Sequence, residues 1–166
     1  STQKKGGYTF KKKESSENKN LSNYISIWPF AAYGRSETRS PSEKWWIDAV
    51  NQIIKKGHKV LHCGYFTEPN LSDDNNNYKK ITELSFFDQI KISLATKLSI
   101  GTDSGSMWVL GAYNHPAIHL MTNWSENHIS NFSAFEPVNN HSITLFEQGG
   151  CDNIKIENMI SSLSGF

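Results

Sequence analysis

The chain has 166 residues, 37% of them apolar, and a net charge of +1, which suits one globular domain with a sizeable core, or one domain plus a tail. The charge balance argues against nucleic acid, and no apolar run approaches the roughly 20 residues of a membrane helix, nor does a signal peptide open the chain. Cys63 and Cys151 lie far apart in the sequence and make no disulfide framework, so a reducing, cytoplasmic setting is expected.

Residues 1 to 21 are mostly Lys, Asn, Ser and Glu and bury too little to offset the entropy of ordering, so they are expected to form a flexible polar tail or linker. The run Lys11-Lys12-Lys13 reads as a solvated patch. With no initiator Met, the sequence reads as a trimmed chain or a fragment. Residues 22 to 166 are expected to form the folded domain.

Tyr24 to Trp28 is a short strand stopped by Pro29, followed by a Gly-containing loop that carries Arg35, Thr38 and Arg39. Ser40, Pro41 and Glu43 predict an N-cap, a first helical residue and a capping box. Behind them, Trp45, Ala49 and Ile53 form one row and Trp46, Val50 and Ile54 the next, giving a wide buried helix face that ends at Gly57. Lys59 to Cys63 is a second strand. The polar stretch from Gly64 to Lys80 is expected to be a long functional or mobile loop. Its Asp73 to Asn77 run only faintly suggests a calcium loop, because the sixth-position Gly is absent and Leu84 stands where a ligating Glu belongs.

Ser85 is expected to cap a helix through Thr96, leading into a strand from Leu98 to Thr102. The helix from Ser106 to Tyr113 is apolar nearly all round and therefore buried. Ala117 to Met121 and Ser142 to Phe146 are further strands, and a helix from Asn153 to Leu163 closes the chain. Strands alternating with helices predict an α/β fold, a Rossmann-like open parallel sheet with helices on both faces. Ligands of such sheets bind beyond the carboxyl ends of the strands.

That edge places the stretch LSIGTDSGSMWVLGAYN at the centre, because Thr102, Asp103, Ser104 and Gly105 sit where a buried strand turns into a buried helix. The first amides of a helix lack internal partners and the macrodipole adds about half a positive charge, so a phosphate or pyrophosphate suits the junction. Gly105 removes a side chain at the point of closest approach, and Ser104 can cap the helix and donate a hydroxyl. Asp103 would repel a phosphate and is expected to orient the site by accepting bonds from amides or a sugar hydroxyl. An ordinary strand-to-helix turn with an Asp/Ser cap explains the same residues.

Taken together, the segments ISIWPFAAYGRSETRSPSEKWW, IIKKGHKVLHCG and LSIGTDSGSMWVLGAYNHPAIHLM, spanning about residues 24 to 124, resemble the C-terminal half of glycosyltransferase family 9. Those are the lipopolysaccharide heptosyltransferases, with the GT-B fold. The resemblance implies that Asp103, Ser104 and Gly105 hold the diphosphate and first sugar of a nucleotide-sugar donor. It places Arg39 at a phosphate-neutralising Lys position with the Thr38 hydroxyl beside it, and Glu68 near the acidic residue that grips the ribose. It favours an ADP-sugar, with the base lying against Leu84, Ser85 and their neighbours up to Phe87. Trp108 stands where the family often has His, a departure that weakens a heptose donor. Arg35, Trp108, Trp124 and His128 form the expected rim.

Transfer to a glycan or lipopolysaccharide hydroxyl needs a base, which the family supplies from an N-terminal domain that this chain lacks. No catalytic residue is therefore assigned, no metal or other cofactor is expected, and the chain alone is expected to be inactive. A longer parent protein would meet its acceptor through that domain, with room for peripheral membrane association. A non-catalytic GT-B-like nucleotide-binding or interaction module is the alternative. The Asp-Ser-Gly of Asp103 to Gly105 also occurs in trypsin-like serine proteases, but those are all-β, and Ser104 lacks the nucleophile-elbow spacing. Trp28 to Gly34 has no dinucleotide fingerprint, and the six His form no ligand-spaced cluster.

Overall fold

The computed structural model describes residues 21–31, 39–122 and 141–166. Six strands form one parallel sheet in the order β3-β2-β1-β4-β5-β6. They are β1 (Tyr24–Trp28), β2 (Lys59–His62), β3 (Tyr78–Lys80), β4 (Leu98–Thr102), β5 (Ala117–Thr122) and β6 (Ser142–Glu147). The helices are α1 (Glu43–Lys55), α2 (Phe86–Ala95), α3 (Gly105–Ala112) and α4 (Ile156–Ser162). This is the doubly wound, Rossmann-like α/β arrangement, and the strand order reverses between β1 and β4, where such sheets bind ligands.

Alternation along the strands builds two cores. Ile25, Ile27, Val60, Leu98, Ile100, Ile118 and Leu120 meet α1 and α4 through Trp46, Val50, Ile53 and Met159. On the other face Trp28, Leu61, Cys63 and Ala117 meet α2 and α3 through Ile90, Met107 and Leu110. Because both faces are covered, the central strands carry near-continuous apolar runs, as parallel sheets require. Two buried hydroxyls, Ser26 and Ser99, sit side by side on paired residues of β1 and β4 and hydrogen-bond at 2.5 Å.

Several boundaries differ from the sequence expectation. Helix α1 begins at Glu43 with Ser42 as its N-cap, because the Ser40 hydroxyl accepts from the Ala31 amide at 2.9 Å instead. The Ser42 hydroxyl takes the Trp45 amide at 3.2 Å, and the Ser42 amide donates to Asp152. The stretch from Gly64 to Lys80 is not all loop. Tyr78–Lys80 pairs with β2 as an edge strand, and the Asp74 carboxylate accepts from the amides of Asn76 and Asn77 in an Asx turn. No group of three metal-ligating side chains occurs among the described residues.

The closing helix is interrupted. A 3-10 turn at Cys151–Asn153 precedes α4, and another at Leu163–Gly165 follows it. Residues 1 to 20 lie outside the described part of the chain, but Leu21 belongs to the fold, since it packs on the α2/α3-side core and its carbonyl accepts from the Tyr24 amide at 2.9 Å. Cys63 and Cys151 are free and buried, and burial pushes both thiols up to about 12. No helix of the described residues is long and apolar enough to cross a membrane.

Candidate functional site

A cleft of about 740 Å³ opens at the carboxyl ends of the strands on the α2/α3 face, lined among others by Trp28, Tyr65, Glu83, Leu84, Phe86 and Gly105. Its floor is Trp28, whose indole donates to the Ser93 hydroxyl at 3.2 Å and meets the Phe86 ring edge-on at 6.0 Å. Its walls are tied together by the buried Gln89 carboxamide. That side chain accepts from the Gly64 amide at 2.7 Å and donates to the carbonyls of Gly64 at 3.1 Å and Leu84 at 2.9 Å. Tyr65, Phe66 and Phe86 stay well exposed around it, and flat apolar surfaces of this kind suit a planar aromatic ligand.

The β4–α3 turn closes one end of the cleft with Ser104, Gly105 and Ser106. Ser104 occupies the N-cap position of α3, but its hydroxyl makes no cap hydrogen bond and pairs with the Ser106 hydroxyl at 2.9 Å. The expected side-chain cap is therefore absent, which leaves the first-turn amides without a side-chain acceptor and the turn suited to an anion. A Cβ added at Gly105 would meet nothing within 4 Å, so the residue faces open space.

Asp103 is held from two sides, and its partners differ from the expected amides. Arg39 donates to its carbonyl at 3.2 Å and its carboxylate at 3.4 Å, and the Trp108 indole donates to the other carboxylate oxygen at 2.9 Å. The Arg39 guanidinium thus offsets the Asp103 charge beside the anion-binding turn. Arg39, Asp103, Ser104, Gly105 and Trp108 are brought together by these contacts and by the turn, Trp108 with 39% of its surface exposed.

Other candidates are placed elsewhere. Thr102 is fully buried, and the alternation of β4 turns it to the same face as Leu98 and Ile100, away from the cleft. The Glu68 carboxylate is turned inward, with 9% of its side chain exposed. It bonds the Nε2 of His62 at 3.0 Å and accepts from the Tyr65 amide at 2.5 Å. Gly64 has φ +143°, a conformation that favours glycine, and a Cβ there would push the Glu68 carboxylate out of its place. Leu84 lines the cleft, whereas the Ser85 hydroxyl is engaged in capping α2, accepting from the Asp88 amide at 3.2 Å. Arg35, Thr38, Trp124 and His128 lie outside the described residues.

Phe86 falls within the Leu84 to Phe87 stretch expected against the base, whereas sequence reasoning did not single out Tyr65, Phe66, Thr82, Glu83 or Gln89 as cleft residues. Two adjacent aromatics in an otherwise polar loop were the one available signal for Tyr65 and Phe66.

The cleft, its switch-point position and the helix turn at its end can be compared with known structures. The E. coli ADP-heptose LPS heptosyltransferase II superposes with TM-score 0.68 at 16% identity, covering 87% of this chain and 46% of that one. E. coli heptosyltransferase WaaC with ADP gives TM-score 0.70 at 9% identity over 89% of this chain and 45% of its own. A family 9 glycosyl transferase from Veillonella parvula gives 0.65 at 16% identity over 86% and 45%. The chain shares their fold. It spans a little under half the length of each. No family model matches the sequence, and no curated protein matches it.

Chemically, the arrangement offers apolar walls for a planar ring, one exposed carboxylate at Glu83, unfilled helix amides for an anion and a compensated Asp103 beside them.

Proposed function

We propose that this chain is the donor-binding domain of a glycosyltransferase that takes a sugar from a nucleoside-diphosphate sugar and passes it to a glycan or lipopolysaccharide acceptor. The observation that carries the reading is the junction of the aromatic-walled cleft with the α3 turn. The base would lie between Tyr65, Phe66 and Phe86, the diphosphate at the amides behind Gly105, and the sugar toward Asp103. The structures with the same fold include one described with ADP and one with ADP-2-deoxy-2-fluoro heptose, which supports an adenine base.

On leaving, the nucleoside diphosphate gains negative charge, and helix-end amides together with the Arg39 guanidinium would stabilise it without a metal ion. Asp103 is already bonded to Arg39 and Trp108, so it is not assigned as the base that removes the acceptor's proton. A cytoplasmic location accords with this reading.

A thermal-shift and calorimetric screen against ADP, UDP, GDP and CDP, with and without magnesium, tests it. Saturable, metal-independent binding of one of them by the folded chain is the expected result. A folded, monodisperse chain that binds none of them would overturn the donor-domain reading.

A further inference from the structure

Trp108 is an exposed aromatic side chain that the cleft does not use. It is absent from the cleft lining, yet it keeps 39% of its surface exposed on the first turn of α3. Its position is fixed at both ends, since its amide donates to the Ser104 carbonyl at 3.2 Å and its indole N–H to Asp103 at 2.9 Å. Asp103 is in turn held by Arg39. The ring is therefore an immobilised aromatic surface two residues beyond Ser106 of the anion-binding turn, and ordering it on binding costs little conformational entropy.

From this geometry we propose that Trp108 is the platform for the glycosyl group of the donor and sets which sugars are accepted. This rests on the donor-domain reading. A sugar attached to a diphosphate at Gly105 emerges beside Asp103, within reach of the indole. The negative face of an aromatic ring attracts the polarised C–H groups on the apolar face of a pyranose, while its dispersion contacts replace water. A sugar whose hydroxyls are all equatorial, such as glucose, presents such a face. Asp103 lies at the edge of the platform, where it accepts the indole N–H.

The test compares ADP with ADP-glucose by calorimetry on the whole chain and on the variants Trp108→Ala and Trp108→Phe, with melting temperatures recorded as a check of folding. The wild-type chain should bind ADP-glucose more tightly than ADP. Trp108→Ala should cut that advantage, taken as the ratio of the two affinities measured on the same variant, by about tenfold, the size of an aromatic contact converted to affinity. Trp108→Phe, which keeps a ring face and loses the N–H, should retain most of the advantage.

An unchanged ADP-glucose advantage in Trp108→Ala would overturn the proposal. So would a Trp108→Phe variant as impaired as Trp108→Ala, because that pattern assigns the residue to holding Asp103 through its N–H. Failure of the folded wild-type chain to bind either ligand would remove the donor-domain reading and this inference with it. Normal ADP binding without any sugar effect removes the inference alone.

Discussion

Arg39 and Asp103, 64 residues apart in the chain, are joined at the cleft edge by a guanidinium that reaches both the carbonyl and the carboxylate of the acid. The pair is partly exposed, with 30% and 11% of the two side chains accessible, so its own contribution to stability is small, below about 1 kcal/mol. Its consequence is local: without the guanidinium, the Asp103 charge would face an incoming phosphate uncompensated.

Arg39→Ala is therefore expected to weaken nucleoside diphosphate binding by about 1.5 to 3 kcal/mol, the range for a hydrogen bond to a charged group, with only a small drop in melting temperature. Calorimetric titration with ADP reads this directly. An unchanged dissociation constant would take Arg39 out of the site.

Gly105 separates folding from binding in opposite directions. Its Cβ position is open, and it lies in the first turn of a helix, so Gly105→Ala should raise stability by up to about 1 kcal/mol. The same methyl group stands where the anion approaches the amides. Nucleotide affinity should fall while the melting temperature holds or rises, and Gly105→Val should deepen the binding loss. Parallel loss of both quantities would mark the glycine as structural.

His119 is buried on β5 with its Nε2 unbonded among the described residues. Burial lowers its pKa from 6.5 to about 4. The unfolded chain then binds the proton more readily than the folded one, so the stabilising effect is complete above about pH 6.5 and is lost as the pH falls from there toward 4. Over that window this residue alone should cost roughly 3 kcal/mol. Urea unfolding at several pH values should show a shallower pH dependence in His119→Asn than in the wild type. Equal slopes would contradict the assignment.

Tyr78 and Glu68 grip His62 from opposite sides. The Tyr78 hydroxyl bonds the Nδ1 of His62 at 2.6 Å and accepts from the Leu71 amide at 3.1 Å, and Glu68 bonds the Nε2. Tyr78→Phe leaves two buried groups without a partner and should cost about 1 to 3 kcal/mol in chemical denaturation. Glu68→Gln should lower stability as well. Because its carboxylate is turned inward, it should leave the preference for ADP over its 2′,3′-dideoxy analogue unchanged. Loss of that preference would restore Glu68 to the ribose site.

The parts of this structure that follow local rules were legible in the sequence. Helix α2 begins behind the Ser85 cap, β1 stops at Pro29, and the two aromatic and aliphatic rows of α1 lie on one buried face. The start of α1 was not, because Ser40 and Ser42 are equally good caps until the Ala31 amide, brought near only by the tertiary fold, claims the first of them. Strand β3 is three residues long and two of them are lysines, too short for a period to show. For the site, the β4–α3 turn announces itself as one contiguous motif. The cleft instead gathers Trp28 from β1, Gly64 and Thr82 from two loops, and Phe86 and Gln89 from α2, and no sequence spacing encodes that convergence. Glu68 shows the same limit from the other side: its position along the chain fits a ligand role, while its rotamer serves His62.

The bonded serines on β1 and β4 mark a seam with consequences for how the chain reaches this state. Ser26 and Ser99 stand 73 residues apart, so the centre of the sheet cannot close until β4 has been made. Until then β1 offers a bare, mostly apolar edge with its amides and carbonyls unpaired, open to pairing with another chain. Contacts of such long loop span slow folding. The step that docks β4 on β1 is where newly made chains of this protein are most exposed to aggregation, and where a chaperone holding the N-terminal half would do the most good.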